Sequence, residues 1–194
     1  MTTRERDPQS KALILYFIQK LGGDLGRTKL VKLCYLTDLF HRMISGIPVT
    51  GFQYRLFENG PFDPRFYDAI SELEELGYIK EVFVPEFNGH RYSIKRTEDI
   101  DKLALTVKER HISEQVAERF GRLRLDILLD EVVYRTEPAR KAREVGAVKE
   151  LLDMDQCNNS LKNDLGLDLD TYLAAKEQQA QGKRVRIEDI IGSF

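Results

Sequence analysis

The stretch "FENGPFDPRFY", residues 57–67, combines four aromatic rings, two prolines and an Asn-Gly pair in one short segment. The Asn-Gly pair and the prolines predict a sharp, rigid turn. Asp63 before Pro64 predicts a helix start, because proline has no N–H to leave unpaired in the first helical turn. The helical pattern that follows, "PRFYDAISELEEL", ends at Gly77, which suits the left-handed position after a helix.

Two helices and a short strand are predicted before this turn. Residues 10–21, "SKALILYFIQKL", are apolar nearly all round, with Ser10 as the cap, which predicts a central buried helix. The pattern "TKLVKLCYLTDLFHRMI", residues 28–44, predicts an amphipathic helix. Its expected outer face carries Lys29, Lys32, Asp38 and Arg42. Residues 47–60 alternate and predict one strand that ends in the turn.

The chain after Gly77 predicts a hairpin and then helices. Two β-rich runs in residues 78–95 flank Asn88-Gly89, a strong hairpin signal. Three helices followed by a two-stranded hairpin is the outline of a winged helix, and helices are predicted at 98–120, at 123–136 and from Pro138.

The predicted fold class is α+β, mostly α. We expect one domain over residues 1–154, with a winged-helix-like front half at 10–96 and packed helices at 97–154. Residues 155–194 are polar with a short apolar end, and we expect a tail that is partly ordered or docks on a partner.

Composition favours a cytoplasmic protein. The 194 residues carry a formal net charge of -2, so the chain as a whole has no electrostatic preference for nucleic acid or anionic membrane. No apolar run approaches the roughly 20 residues of a membrane span, and the first residues contain no apolar segment of the kind a signal peptide needs. Cys34 lies within an apolar helical pattern, which favours a buried, reduced thiol.

No motif in the sequence indicates catalysis or a cofactor. His41, His90 and His111 lie in separate predicted elements without the spacing of metal ligands. The glycine-rich "LGGDLG" lacks the lysine and hydroxyl residue of a phosphate-binding loop. We therefore expect a protein that is not an enzyme, with no cofactor and no metal.

DNA binding is the alternative function, because winged helices often bind DNA. The helix before the predicted wing is acidic at the outer positions Asp68, Glu72, Glu74 and Glu75, and acidic side chains are repelled by phosphates. Basic residues at Arg91, Lys95 and Arg96, on the second wing strand, keep a transcriptional regulator as an open alternative.

Taken in order, several motifs resemble one protein family. They are "KLVKLCYLTD" at residues 29–38, "GIPVTGFQY" at 46–54, "GPFDPRFYDAI" at 60–70 followed by "LEELGYI", and "DEVVYRTEP" at 130–138. Together they resemble the Panacea, or SocA-like, domain of bacterial and phage toxin–antitoxin systems, over roughly residues 10 to 140.

The resemblance implies a function without catalysis. Members of the family are antitoxins that neutralise a cognate toxin by direct contact, and a member can act as a proteolytic adaptor that delivers its toxin to a protease. We therefore expect a toxin as partner, and a protease or chaperone, a homo-oligomer and a phage-associated interaction role also stay open.

The aromatic turn is the expected partner-binding site. Prolines and a tight turn hold rings in place at low entropic cost, and rigid aromatic side chains are good binding anchors. The expected site consists of Arg55, Phe57, Glu58, Phe62, Asp63 and Phe66. The alternative is that these rings simply form the core beneath the hairpin.

Overall fold

The computed structural model describes residues 7–22, 25–85, 89–94 and 105–156. Within these ranges the fold is α+β and mostly helical, as predicted. Residues 157–194, which hold most of the predicted tail, lie outside the described ranges. No helix of the described residues is long and apolar enough to cross a membrane.

Two buried helices form the centre of the domain. Helix α1, Asp7–Leu21, begins three residues before the predicted cap, so Ser10 is an internal, buried residue. Pro8 lies in its first turn, where no backbone N–H is needed. Helix α2, Arg27–Ser45, ends at Gly46, as predicted.

The expected outer face of α2 is wrong at two positions. Every residue from Leu30 to His41 is buried, including Lys32 and Asp38, which are 2% and 0% exposed. The helix packs against α1, the first hairpin and a later helix, so the polar side chains have no route to solvent on its middle turns. A helix that is enclosed on all sides must then supply partners for each buried polar group.

Asp38 illustrates how these partners position the next segment. Its carboxylate accepts hydrogen bonds from the Thr50 N–H at 2.7 Å, from the Thr50 hydroxyl and from the Tyr54 hydroxyl at 2.8 Å. Burial raises the pKa of Asp38 to about 6, against the lowering effect of these hydrogen bonds. The cluster fixes residues 50–54 on α2 and so sets the start of the first hairpin.

The aromatic turn is a hairpin rather than a strand followed by a loop. Strand β1, Arg55–Phe57, pairs antiparallel with β2, Gly60–Phe62, in the register Arg55 to Phe62 and Phe57 to Gly60. The predicted strand at 47–60 is therefore shorter than expected, and the "GPF" segment is its partner. Helix α3, Arg65–Glu75, follows at the predicted place and buries Phe66, Ala69, Ile70 and Leu73.

The second hairpin matches its prediction. Strands β3, Ile79–Val84, and β4, Gly89–Ile94, pair antiparallel with Val84 opposite Gly89. The chain thus has the order helix, helix, hairpin, helix, hairpin. The winged-helix arrangement itself stays a prediction, as do the proposed domain boundaries.

The later helices are less regular than the sequence indicated. Helix α4, Val107–Phe120, is capped by Thr106, whose hydroxyl accepts from Glu109 N–H while the Glu109 carboxylate accepts from Thr106 N–H. The expected helical start at 98 is wrong for Leu105 and for the cap residue Thr106, because the helix begins only at Val107. Residues 95–104 lie outside the described ranges.

The predicted helix at 123–136 is broken into three short pieces. Helix α5, Leu125–Ile127, leads into a π-helical turn, Leu128–Val132, and a 3-10 turn, Val133–Arg135. Helix α6, Glu137–Glu144, starts beside Pro138 as predicted.

Candidate functional site

The first hairpin is held in shape by its tip glycine. Gly60 has φ of +82°, and Glu58 and Asn59 have negative φ, the pattern of a type I turn closed by a left-handed glycine. A Cβ at Gly60 would lie 3.3 Å from Leu129 Cδ2 and 3.4 Å from Lys32 Cε. The tip therefore packs closely on α2 and on the π-helical turn.

The aromatic rings of residues 52–67 divide into an outer and an inner group. Phe57 and Phe62 meet edge to face at 5.6 Å, and Phe62 lies 5.2 Å from Tyr67, which is 43% exposed. Phe66 is 1% exposed and contacts the ring of Phe52 in the interior. Phe57, Phe62 and Tyr67 are thus partly or largely exposed, whereas Phe66 belongs to the core. The role of the outer rings in partner binding stays a prediction.

Asp63 has a structural role in joining the hairpin to α3. It is 4% exposed, and its carboxylate accepts from the backbone N–H groups of Gln53, at 2.5 Å, and Arg65, at 2.9 Å. The Arg65 guanidinium also donates to it. Asp63 thus stabilises the helix start that the sequence predicted, and burial takes both Asp63 and Phe66 off the surface that a partner could contact.

An open cleft of about 540 Å³ lies beside the outer rings. We call it the hairpin cleft. It is lined by Arg27, Thr28, Val31 and Lys32 of α2, by Phe57–Gly60 and Phe62 of the hairpin, by Tyr67 of α3, and by Val148 and Lys149.

Of the six expected site residues, Phe57, Glu58 and Phe62 line the hairpin cleft. The sequence did not indicate that Lys32 lies there too, because a lysine in an amphipathic pattern is ordinarily solvated.

Lys32 sits at the cleft with its amine enclosed. Its Nζ donates to the carbonyl oxygen of Pro61 at 2.6 Å, and no carboxylate among the described residues pairs with it. Burial lowers the pKa of Lys32 from its ordinary 10.5 to about 7. The hairpin therefore lies against an amine that is costly to keep charged.

One wall of the cleft comes from far along the chain. Lys149 has φ of +66°, and its N–H donates to the Leu56 carbonyl at 2.8 Å. Leu152 N–H donates to the Tyr54 carbonyl, also at 2.8 Å, so this segment runs along β1 as an added edge. Arg55 fastens it by donating to the Lys149 carbonyl at 2.9 Å. This gives Arg55 a structural contact that the sequence did not reveal.

Tyr134 supports the hairpin tip from behind. Its hydroxyl donates to the Glu58 carbonyl at 3.2 Å, and the Arg143 guanidinium stacks over its ring at 4.0 Å. Tyr134 lies in the 3-10 turn that follows the π-helical turn, and this irregular backbone places its side chain at the cleft rim.

The residues of the DNA-binding alternative are placed only in part. Arg91 belongs to β4, opposite Val82 of β3, and Lys95 and Arg96 lie outside the described ranges. The acidic helix α3 uses Glu72 to pair with Lys11 and Glu74 to accept from the Glu81 N–H at 2.6 Å. The DNA-binding function stays a prediction.

Histidine, cysteine and carboxylate side chains do not gather into a metal-binding group of three or more anywhere in residues 7–22, 25–85, 89–94 and 105–156. Cys34 is a buried free thiol, and burial raises its pKa well above the ordinary value. What the described residues define is an α+β domain with an aromatic cleft that is open to a ligand or a partner protein.

Comparison with known families identifies the class. The family model described as "Antitoxin SocA-like, Panacea domain" matches residues 30–135, more than half of the chain, and the chain belongs to this family. The match includes both hairpins and the Tyr134 contact, and it confirms the family that the sequence motifs resembled. Searches of curated proteins and of solved structures found no match.

Proposed function

We propose that this protein is an antitoxin that neutralises a cognate toxin by direct contact, and that the hairpin cleft is the contact surface. The observation that carries the proposal is membership of the SocA-like antitoxin family over residues 30–135. Membership of this family also supports a role without catalysis. A toxin is accordingly the partner we expect, and we expect the two proteins to meet in the cytoplasm.

The cleft supports direct contact because its rings are rigid before binding. Phe57 and Phe62 meet edge to face, Tyr67 lies tilted against Phe62, and the hairpin, Pro61 and α3 hold the three rings in place. A partner that covers them loses little side-chain entropy from this chain, and clustered aromatic side chains often dominate binding energy. Glu58 and Lys149 at the rim supply exposed charges around the rings.

The test is co-expression of the full chain with each neighbouring open reading frame, scored by growth rescue and by co-purification. We expect one neighbour to be toxic alone, to be tolerated with this chain and to purify with it. Growth rescue without a complex would favour control of toxin production instead, the DNA-binding alternative. No toxic neighbour would refute the proposal.

A pair of phenylalanine variants locates the contact. Phe57→Ala removes a ring from the cleft, and Phe83→Ala removes a ring that is 52% exposed on β3, away from the cleft. We expect Phe57→Ala to weaken toxin binding by about 1.4 to 2.8 kcal/mol, which is tenfold to a hundredfold, and Phe83→Ala to leave it within about twofold. Equal losses in both variants, at equal thermal stability, would exclude the hairpin cleft as the contact surface.

Delivery of the toxin to a protease is a second mode of neutralisation that the family suggests. It predicts that the toxin disappears faster in cells when this chain is present. Toxin half-life after a translation stop, with and without this chain, measures it. Unchanged half-life together with growth rescue would leave direct contact as the complete mechanism.

A further inference from the structure

The hairpin cleft combines an aromatic wall with a buried lysine that pairs with no carboxylate among the described residues. Lys32 is only 2% exposed and still lines the cleft. Its amine makes one hydrogen bond, to the Pro61 carbonyl oxygen. An ammonium group has three N–H donors, so two of them have no partner among the described residues. A buried donor without a partner is costly, and an incoming acceptor removes that cost.

The start of α2 adds to the positive side of the cleft. Arg27 and Thr28, in its first turn, line the cleft, Gly26 provides no side-chain cap, and the first turn carries no acidic residue. The N-terminus of a long helix favours an anion because its first N–H groups point outward without intrahelical partners. Arg27 lies 5.0 Å over the Tyr67 ring and pairs with Glu81 at 3.2 Å, which holds its guanidinium at the mouth.

A second, smaller cleft contains a lysine that does pair with a carboxylate. It has a volume of about 370 Å³ and lies between α1, α2 and α4. Its Lys20 already pairs with Glu114 at 2.9 Å, and Glu118 is part of its lining. Lys20 of the smaller cleft therefore has a carboxylate partner, whereas Lys32 has none among the described residues.

We propose that the hairpin cleft binds a carboxylate carried beside an apolar side chain, with Lys32 and the start of α2 receiving the carboxylate and Phe57, Phe62 and Tyr67 receiving the apolar group. The occupant is an acidic side chain of the toxin next to a large apolar one, so the inference rests on the proposed function. The carboxylate supplies the acceptor that Lys32 lacks, and the rings exclude water from the new ion pair, which strengthens it.

Charge and size favour a side chain over a larger anion. The cleft is large enough for two side chains, and its outer rings leave apolar area that a bare phosphate would not cover. The acidic Glu58 at the rim disfavours a polyanion, because it repels a second negative charge.

Two dipeptides that differ in one charge test the cleft without the toxin. The full chain, labelled with ¹⁵N, is titrated with N-acetyl-phenylalanyl-glutamate amide, with its glutamine counterpart and with inorganic phosphate, each to about 20 mM. We expect the amide signals of Phe57, Gly60 and Lys149 to shift with the acidic dipeptide, with Kd on the order of millimolar. The glutamine dipeptide and phosphate should bind at least about tenfold more weakly.

Two lysine variants test whether Lys32 supplies the positive charge that binds the carboxylate. Lys32→Met should reduce binding of the acidic dipeptide about tenfold or more, and the control Lys80→Met, at an exposed position of β3, should leave it unchanged. Equal binding of the two dipeptides, or no effect of Lys32→Met, would overturn the anion site. Phosphate binding as tight as that of the acidic dipeptide would overturn the choice of a carboxylate, and no shift with any probe would overturn the site altogether.

The same variants separate this inference from the proposed function. We expect Lys32→Met to weaken toxin binding about tenfold while Lys80→Met does not. Toxin binding that survives Lys32→Met but is lost in Phe57→Ala would refute the carboxylate site and leave the antitoxin function standing. Dipeptide binding in a chain with no toxin partner would overturn the assignment of the occupant and refute the antitoxin function.

Discussion

Lys32→Met should stabilise the protein, and by an amount that depends on pH. Lys32 is 2% exposed, and burial alone lowers its pKa from 10.5 to about 7. The unfolded chain therefore holds this proton up to about pH 10.5 and the folded chain only up to about pH 7. Between these values the unfolded state binds more protons, so the free energy of unfolding of the wild-type chain rises with pH.

The size of the effect follows from the same two values. At about 1.4 kcal/mol per pH unit, the difference between 10.5 and about 7 sets an upper limit of about 5 kcal/mol for the cost of the buried ammonium. This cost is fully present below about pH 7 and is lost as the pH approaches 10.5. Methionine has a similar volume and no charge. Part of this gain in stability, about 1 to 2 kcal/mol, is lost in the variant because the Pro61 carbonyl oxygen no longer has its hydrogen-bond donor. The net gain at pH 6 should therefore be at most about 3 to 4 kcal/mol.

Urea unfolding followed by circular dichroism at pH 6, 7, 8 and 9 measures the effect. The gap between Lys32→Met and wild type should be constant from pH 6 to 7 and then close by about 1 kcal/mol per pH unit. Arg27, Glu58 and Lys149, the other charged side chains that line the cleft, are present in both proteins, so the two chains differ only at Lys32. Lys80→Met should show no such trend. A gap that is the same at pH 6 and pH 9 would refute the buried ammonium.

Two further substitutions test how the hairpin is held. Gly60→Ala should lower the free energy of unfolding, measured by thermal unfolding, by about 2 kcal/mol or more, and the control Gly46→Ala should lower it by about 1 kcal/mol. Both glycines have positive φ, but of the two only Gly60 has neighbours within 4 Å of an added Cβ. Equal losses of stability in the two variants would refute close packing at the hairpin tip. Asp38→Ala should lower the free energy of unfolding, measured in urea, by about 3 kcal/mol or more, because it leaves the Thr50 N–H and the Tyr54 hydroxyl without their buried acceptor. A loss of stability below about 1 kcal/mol would contradict the role of this hydrogen-bonded cluster.

The elements that the sequence predicted are those with local signals. The ends of α2 and α3, the start of α3 at Asp63 and the Asn-Gly hairpin depend on residues within a few positions of one another. Their caps and turns have the same geometry in any protein, so a short pattern is enough to predict them. The family was predicted for a related reason, because its motifs lie within the matched residues 30–135.

The features that the sequence did not predict depend on distant partners. The wall at Lys149 forms because Leu56 and Tyr54 leave carbonyl groups on the edge of β1, and nothing near residue 149 in the sequence indicates that pairing. Lys32 looked like a surface residue because the pattern around it is amphipathic, and it is buried because a hairpin almost 30 residues later covers it. The aromatic turn as a partner-binding site stays a prediction, and the lysine beside it comes from a helix position that the sequence assigned to the solvent-exposed face.

The separation of fold-stabilising residues from cleft-surface residues is relevant to the proposed antitoxin function. The inner rings, Asp63 and the Asp38 cluster fix the backbone and leave no freedom for substitution. The outer rings and the rim contribute little to the core, so their exchange alters the surface at a cost of roughly 0.5 to 1 kcal/mol each. Lys32 belongs to neither group: it is buried like a core residue, but burial disfavours its charge and no carboxylate among the described residues pairs with it. A buried charge that costs stability without a structural partner is the kind of feature expected where binding, rather than folding, determines the residue.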